Sequence, residues 1–217
     1  WGQSLRAADA SHSEQIKWGN ESVFNEEHNT LGLFSGVLGG QIVLAGGTSD
    51  DYSRWGRNAV CLSENAGFAL YEDVLSKPLA YGASITLSDG ILCIGGRDSS
   101  QCYEDVFFVT MQQGKLNVSE DWPPLPFPLS NAAGALLDNK VYLFGGRKSV
   151  SPSRLSDSFF VLDLSNKSRG WKELPGYPGC VREDAILVVQ NNGVSPCLYL
   201  LGGQTETEEG LSSCLTD

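Results

Sequence analysis

Three arginines stand where a planar anion could be held. Arg97 and Arg147 each follow a Gly-Gly pair directly, and Arg182 is followed at once by Glu183 and Asp184. A guanidinium presents a rigid fork of N–H donors that matches both oxygens of a carboxylate. A carboxylate beside it, Glu183 above all, could carry a proton to or from a bound group. Tyr81 and Asn131 each open a run of small and aliphatic residues and bring a hydroxyl and an amide to it; Ser35 is a weaker member of the same set. Each has a plainer reading: a surface arginine paired with a neighbouring acid, a solvated carboxylate, or ordinary turn chemistry.

Other chemistries find no residues in the sequence. The two histidines, His12 and His28, and the six cysteines form no group with metal-ligand spacing, and no C-x-x-C occurs. Phosphate-cradling G-x-x-x-x-G-K and G-x-G-x-x-G loops and the G-x-S-x-G elbow are missing too. No cofactor and no metal are expected.

The elements that must position these residues come from a repeat. Four apolar runs end in Gly-Gly: QIVLAGG (41–47), GILCIGG (90–96), KVYLFGG (140–146) and CLYLLGG (197–203). Their first glycines are separated by 49, 50 and 57 residues. Before each lies a small and aliphatic run leading into a Gly, Asn or Asp turn, the pattern of a hairpin. After each comes a short β-branched or aromatic run: NAVCL (58–62), EDVFFVT (104–110), DSFFVLDL (157–164) and SSCLT (212–216). A W-x-x-L-P phrase recurs at Trp122 and Trp171, with Tyr71 and Trp18 in the same phase. Four strands in about 50 residues is the period of a kelch-type β-propeller blade. The fold class expected is all-β, a propeller of four-stranded antiparallel blades.

Blades are expected at about 30–78, 79–128 and 129–178. A fourth, from 179 to 217, is expected to stop after its third strand, with residues 14–18 as the outer strand of another blade and 1–13 as a flexible tail. Paired glycines should let neighbouring blades approach, and the outer tryptophans should fill the wider gap between them. The chain opens on Trp1 rather than Met, which points to a processed chain or a fragment. A net charge of −11, with no Lys/Arg stripe, argues against nucleic acid. No window of eighteen apolar residues exists to span a membrane.

The stretch LSKPLAYG (75–82), the GILCIGG run, the segment from Asn131 to Gly146 and GWKELPGYPGCVRED (170–184) resemble the sialic acid mutarotases, also called N-acetylneuraminate epimerases, in their cyclically permuted branch. That resemblance implies six blades, of which about four are here, with the remaining blades of the same propeller as a partner. It implies a sugar acid, sialic acid, as ligand, and interconversion of its α and β anomers by acid/base ring opening. A bacterial periplasmic or secreted location goes with it. The family's own acid/base pair is expected in a blade not found here, so the chain by itself is expected to be inactive. Arg182, in the stretch resembling the family's PG-x-x-R, is the leading arginine, with Glu183 beside it as proton carrier. Arg97, Arg147, Tyr81, Asn131 and Ser35 are the expected substrate contacts. The alternatives are a kelch interaction module without catalysis, or a propeller that binds sialic acid without exchanging it. The first of these should show an exposed aromatic patch and a channel mouth without converging polar groups.

Overall fold

A computed structural model describes residues 31–63 and 67–206, and the backbone alone of three further short strands, Gln3–Leu5, Trp18–Asn20 and Ser212–Cys214. It is an all-β molecule built from four-stranded antiparallel meanders. The first blade comprises Phe34–Leu38, Gln41–Ala45, Ala59–Ser63 and Gly67–Tyr71. The second comprises Ala83–Thr86, Ile91–Ile94, Val106–Gln112 and Lys115–Ser119, and the third Ala133–Leu137, Lys140–Phe144, Phe159–Asp163 and Lys172–Leu174. A fourth begins with the hairpin Ile186–Asn191 and Pro196–Leu201. The hairpin turns carry the left-handed residues that the strand twist demands, such as Asp138 and Asn139 at φ 49° and 57°.

The blades stack face to face because each strand has two apolar faces to cover. Along Ile91–Ile94 the alternation sends Ile91 and Cys93 toward Phe34, Val43 and Cys61 of the first blade. It sends Leu92 and Ile94 toward Val141, Leu143, Phe160 and Leu162 of the third. All four residues are buried. Each such aliphatic side chain stabilises the stack by about 1.5–3 kcal/mol. Phe144, Ala133 and Ala135 of the third blade receive Leu187 of the fourth hairpin. Trp122 and Trp171 sit in the outer gap as expected. Trp122 packs on Phe108 with ring centres 5.2 Å apart, and the indole N–H of Trp171 donates to the Pro123 carbonyl at 3.0 Å.

The Gly-Gly pairs are seams between blades. The second glycine of the first three donates to a carbonyl of the next blade: Gly47 to Leu79, Gly96 to Leu129 and Gly146 to Arg182, at 2.8–2.9 Å. The first glycine lies so close that a Cβ would stand 2.2 Å from the Leu79 oxygen at Gly46, 2.2 Å from that of Leu129 at Gly95, and 2.4 Å from that of Arg182 at Gly145. These residues also have φ of 63–71°. Gly95→Ala should therefore destabilise the protein by about 2–4 kcal/mol, combining left-handed strain with a backbone clash. Urea unfolding checks this. Gly114→Ala is the comparison, since it shares the positive φ but has open space around it, and it should cost about 1 kcal/mol.

Two expectations about the ends change. Ser212–Cys214 is not the third strand of the fourth blade, because it pairs with Gln204–Glu206 rather than with Pro196–Leu201. It takes the place that Arg154–Leu155 holds against Arg147–Ser149, a small hairpin just past Gly-Gly. A short apolar run alone does not say which of these two pairings it will make. At the other end, Trp18–Asn20 pairs with Gln3–Leu5, while residues 14–17 lie outside the described residues.

Candidate functional site at the propeller hub

Each blade sends its innermost strand along the hub, and the residue two places before that strand carries the rim. These residues are Gly32, Tyr81, Asn131 and Asp184, all left-handed, with φ of 64°, 60°, 56° and 54°. Their backbones form a chain around the hub. The N–H of Tyr81 donates to the Gly32 carbonyl at 2.7 Å, that of Asn131 to Tyr81 at 2.7 Å, and that of Asp184 to Asn131 at 3.0 Å. A left-handed conformation costs a side-chain-bearing residue on the order of 1–3 kcal/mol, and such strain gathers at functional sites. Three successive blades hold theirs in place with these inter-blade hydrogen bonds.

The residues just past Gly-Gly form a second tier. Thr48, Arg97, Arg147 and Gln204 bridge to Leu31, Ala80, Ser130 and Glu183 respectively. Arg147 also reaches forward to the next blade and grips Glu183 with both prongs, Nε to Oε2 at 2.8 Å and a second bond from Nη2 to Oε1. Glu183 is 7% exposed, and its hydrogen bonds raise the Arg147 guanidinium above its usual range. At the register of Glu183 the preceding blade has Ser130, whose hydroxyl is 3.4 Å from the Cys102 thiol. Arg97 therefore meets no acid where Arg147 meets one. Among the described residues Arg97 forms no salt bridge. Its guanidinium lies over the rings of Tyr81 at 4.6 Å, Trp55 at 5.1 Å and Tyr52 at 6.0 Å.

Tyr52 and Trp55 belong to the loop after the first Gly-Gly. That loop is tied by Asp51, which accepts from the Ser49 hydroxyl at 2.6 Å and from the Ser53 hydroxyl at 2.8 Å. These hydrogen bonds, with the Ser53 N–H, pull the Asp51 carboxyl down to about 2. Tyr81 donates its hydroxyl to that of Tyr52 at 3.3 Å, and burial, then this contact, push its phenol up. Asp184 is exposed as a residue, but its carboxyl turns in to accept from the Asn131 amide at 2.8 Å. Burial of that carboxyl raises its pKa, with the amide working against the shift. The other side-chain atom of Asn131, Oδ1, is buried without a hydrogen-bond partner. A buried acceptor in that state favours any O–H or N–H donor that arrives.

The expected residues thus divide. Tyr81, Asn131 and Arg97 converge at the mouth. Arg147 and Glu183 are there too, spent on each other. Ser35 lies on the innermost strand of the first blade, its N–H donating to the Ser84 hydroxyl at 3.1 Å. Arg182 does not reach the mouth. It is 1% exposed, donates from Nη1 to the Gly202 carbonyl at 2.9 Å and stacks on Tyr177 at 5.1 Å. Its register is that of Leu79 and Leu129, both 2% exposed, so it is the seam residue whose carbonyl receives Gly146. Tyr52, Trp55 and Asp184 are additions. A fixed count back from Gly-Gly misses Asp184. Gly32, Tyr81 and Asn131 each stand fourteen residues before the first glycine of the pair, and Asp184 eighteen, because the fourth hairpin is longer.

Comparisons with known proteins agree with this architecture. A kelch motif matches residues 128–175. The chain is 31% identical over 106 residues to an N-acetylneuraminate epimerase of Vibrio cholerae, covering 49% of this chain and 25% of that protein. It is 32% identical over 89 residues to one of Yersinia pestis, covering 41% and 20%, and 29% identical over 99 residues to one of Haemophilus influenzae, covering 46% and 24%. The chain spans about a quarter of the length of the curated relatives it matches. The solved structure of YjhT superposes with a TM-score of 0.67 at 13% identity, over 86% of this chain and 64% of that one, and shows the fold. The chain is a β-propeller with a kelch motif at residues 128–175, and over 89 to 106 residues it is similar to N-acetylneuraminate epimerases.

Proposed function

We propose that the hub mouth binds a sialic acid and exchanges its anomers by acid/base ring opening, with Asp184 as a proton carrier of this chain's own, so that the chain is active where the family resemblance implied that it would not be. The observation that carries this reading is Arg97, which forms no salt bridge among the described residues, beside a left-handed rim of Tyr81, Asn131 and Asp184. Arg97 takes the ligand carboxylate on its fork. Asp184, with its raised carboxyl, carries the proton. Ionised, it accepts the proton of the anomeric hydroxyl; protonated, it donates to the ring oxygen. The ring opens to the keto acid, the C2 face turns over, and the ring closes on the other side. A carboxyl whose pKa is raised above the ordinary aspartate range by burial is better placed to give a proton as well as take one. Asn131 Oδ1 accepts from a sugar hydroxyl, and Tyr81 flanks the opposite side.

In this reading Arg182 and the Arg147–Glu183 pair hold the rim rather than touch the ligand. Both oxygens of Glu183 are engaged by the Arg147 fork, which leaves neither turned to a ligand. The rival, a kelch module that only docks partners, would show exposed aromatics without converging polar groups. Here the aromatics surround a cation and polar side chains meet beside them, which favours the sugar site. A periplasmic setting, where free sugar acids arrive, accords with the bacterial sources of the relatives. The test is a time course of N-acetylneuraminate anomers by proton NMR, with and without the 217-residue chain. Exchange faster than the spontaneous rate supports the reading, and binding without acceleration would leave a sugar-binding propeller in its place.

A further inference from the structure

The hub mouth holds more than anion and hydroxyl chemistry requires. Three aromatic rings converge on the one guanidinium, and two of them, Tyr52 and Trp55, come from the loop after the first Gly-Gly. Tyr52 is 49% exposed. It stacks on Tyr81 with ring centres 6.5 Å apart and an interplanar angle of 18°. Trp55 closes the group at 6.5 Å from Tyr52 and 6.3 Å from Tyr81.

An exposed ring beside a half-buried one on a loop costs ordering entropy and keeps apolar surface in water, so a fold without use for them gains little by holding them rigid. This loop is held rigid. Thr48 donates its hydroxyl to the Arg54 carbonyl at 2.7 Å, the Arg54 N–H donates to the Ser49 hydroxyl at 3.1 Å, and the Trp55 indole N–H donates to the Tyr52 carbonyl at 3.1 Å. With its polar edge satisfied inside the loop, the indole has only its apolar surface left to offer a ligand. Preorganised aromatics of this kind bind at low entropic cost.

Resting on the reading of the site as a sialic acid site, we infer that Tyr52 and Trp55 form an acyl subsite that takes the acetamido methyl of the ligand. The carboxylate on Arg97 fixes one end of the sugar beside the rings. The acetamido group lies across the pyranose ring from that carboxylate, and its methyl is the only methyl group the molecule carries. The subsite thus selects N-acylated sugar acids over those with a bare hydroxyl at that carbon.

Saturation-transfer NMR on the 217-residue chain with N-acetylneuraminate tests this. The acetyl methyl should receive the largest share of saturation of any ligand proton. Trp55→Ala should cut that share at least twofold and weaken binding roughly tenfold, which is about 1.4 kcal/mol. Tyr52→Ala, on the exposed side of the loop, should act in the same direction if Trp55→Ala proves poorly folded. The analogue with a hydroxyl in place of the acetamido group should bind roughly tenfold more weakly to the unmodified chain and equally to Trp55→Ala. Firm binding with no preference for the methyl, or an analogue bound as tightly as the parent, overturns the acyl subsite and spares the sugar site. No binding of N-acetylneuraminate at millimolar concentration overturns both.

Discussion

Arg97→Ala is expected to weaken N-acetylneuraminate binding by roughly 30- to 150-fold, the effect of losing charged hydrogen bonds worth about 2–3 kcal/mol. Isothermal titration calorimetry reads it directly. The loss should be specific, because Arg97 supports the fold only weakly. Its described contacts are three rings and a long 3.5 Å approach to the Asp98 carbonyl. Exposed cation–π contacts are worth about 0.5–1 kcal/mol each, so losing all three costs at most about 1.5–3 kcal/mol of stability, and the binding loss is read on protein shown to be folded. Arg97→Lys keeps the charge and loses the planar fork; it should recover part of the affinity and not all of it. Arg147→Ala is the informative contrast. It strips Glu183 of its partner and leaves a buried carboxylate unpaired, so its main effect should be on stability. If Arg97→Ala binds the sugar as tightly as the unmodified chain, the carboxylate is held elsewhere and the proposed site is wrong.

The contrast between these two arginines shows what the sequence could and could not tell. Both follow Gly-Gly, and in the sequence they are equivalent. What separates them is the residue one blade further on, Ser130 for Arg97 and Glu183 for Arg147, and that pairing exists only once blades are stacked in register. The fold was legible because its signals are local and repeat. Paired glycines have few other uses at 49- and 50-residue intervals, and the runs before them alternate correctly for strands covered on both faces. Arg182 shows the opposite case. A motif placed it near the hub correctly in sequence, but its side chain fills the seam where Leu79 and Leu129 sit in the other blades. The sequence points to Glu183 as proton carrier, and the proposed site uses Asp184, one residue further on. In a strand that single step turns a side chain to the other face, and here it separates a carboxylate locked by arginine from one that can change its proton. Tyr52 and Trp55 had no signal at all, since an aromatic in a polar loop acquires meaning only from what lies across the hub.

Asp184→Asn should have the largest effect on chemistry, slowing anomer exchange by roughly 10²- to 10⁴-fold, the range for a positioned proton carrier. The amide keeps an acceptor for the Asn131 side chain, so binding should change little, and the loss should fall on the rate at saturating sugar. The exchange rate of the unmodified chain should show an ionisation limb above the ordinary aspartate range, in keeping with the raised carboxyl, and the variant should lack it. Stability should move the other way. A carboxyl with a raised pKa holds its proton in the folded chain after the unfolded chain, near pH 3.9, has released it. Folding is therefore favoured by this group below that pH, and the benefit is lost as pH rises through the folded pKa. Once ionised, Asp184 is a net burden on the fold, and its replacement by a neutral amide removes that burden. Thermal unfolding should show Asp184→Asn melting above the unmodified chain at pH 7 and level with it at pH 3. A residue that only shaped the rim would lose stability along with rate, whereas one strained into place for proton transfer gains stability when the transfer is abolished. A variant that keeps both its rate and its ionisation limb would remove Asp184 from the chemistry and leave the hub as a place where sugar acids bind.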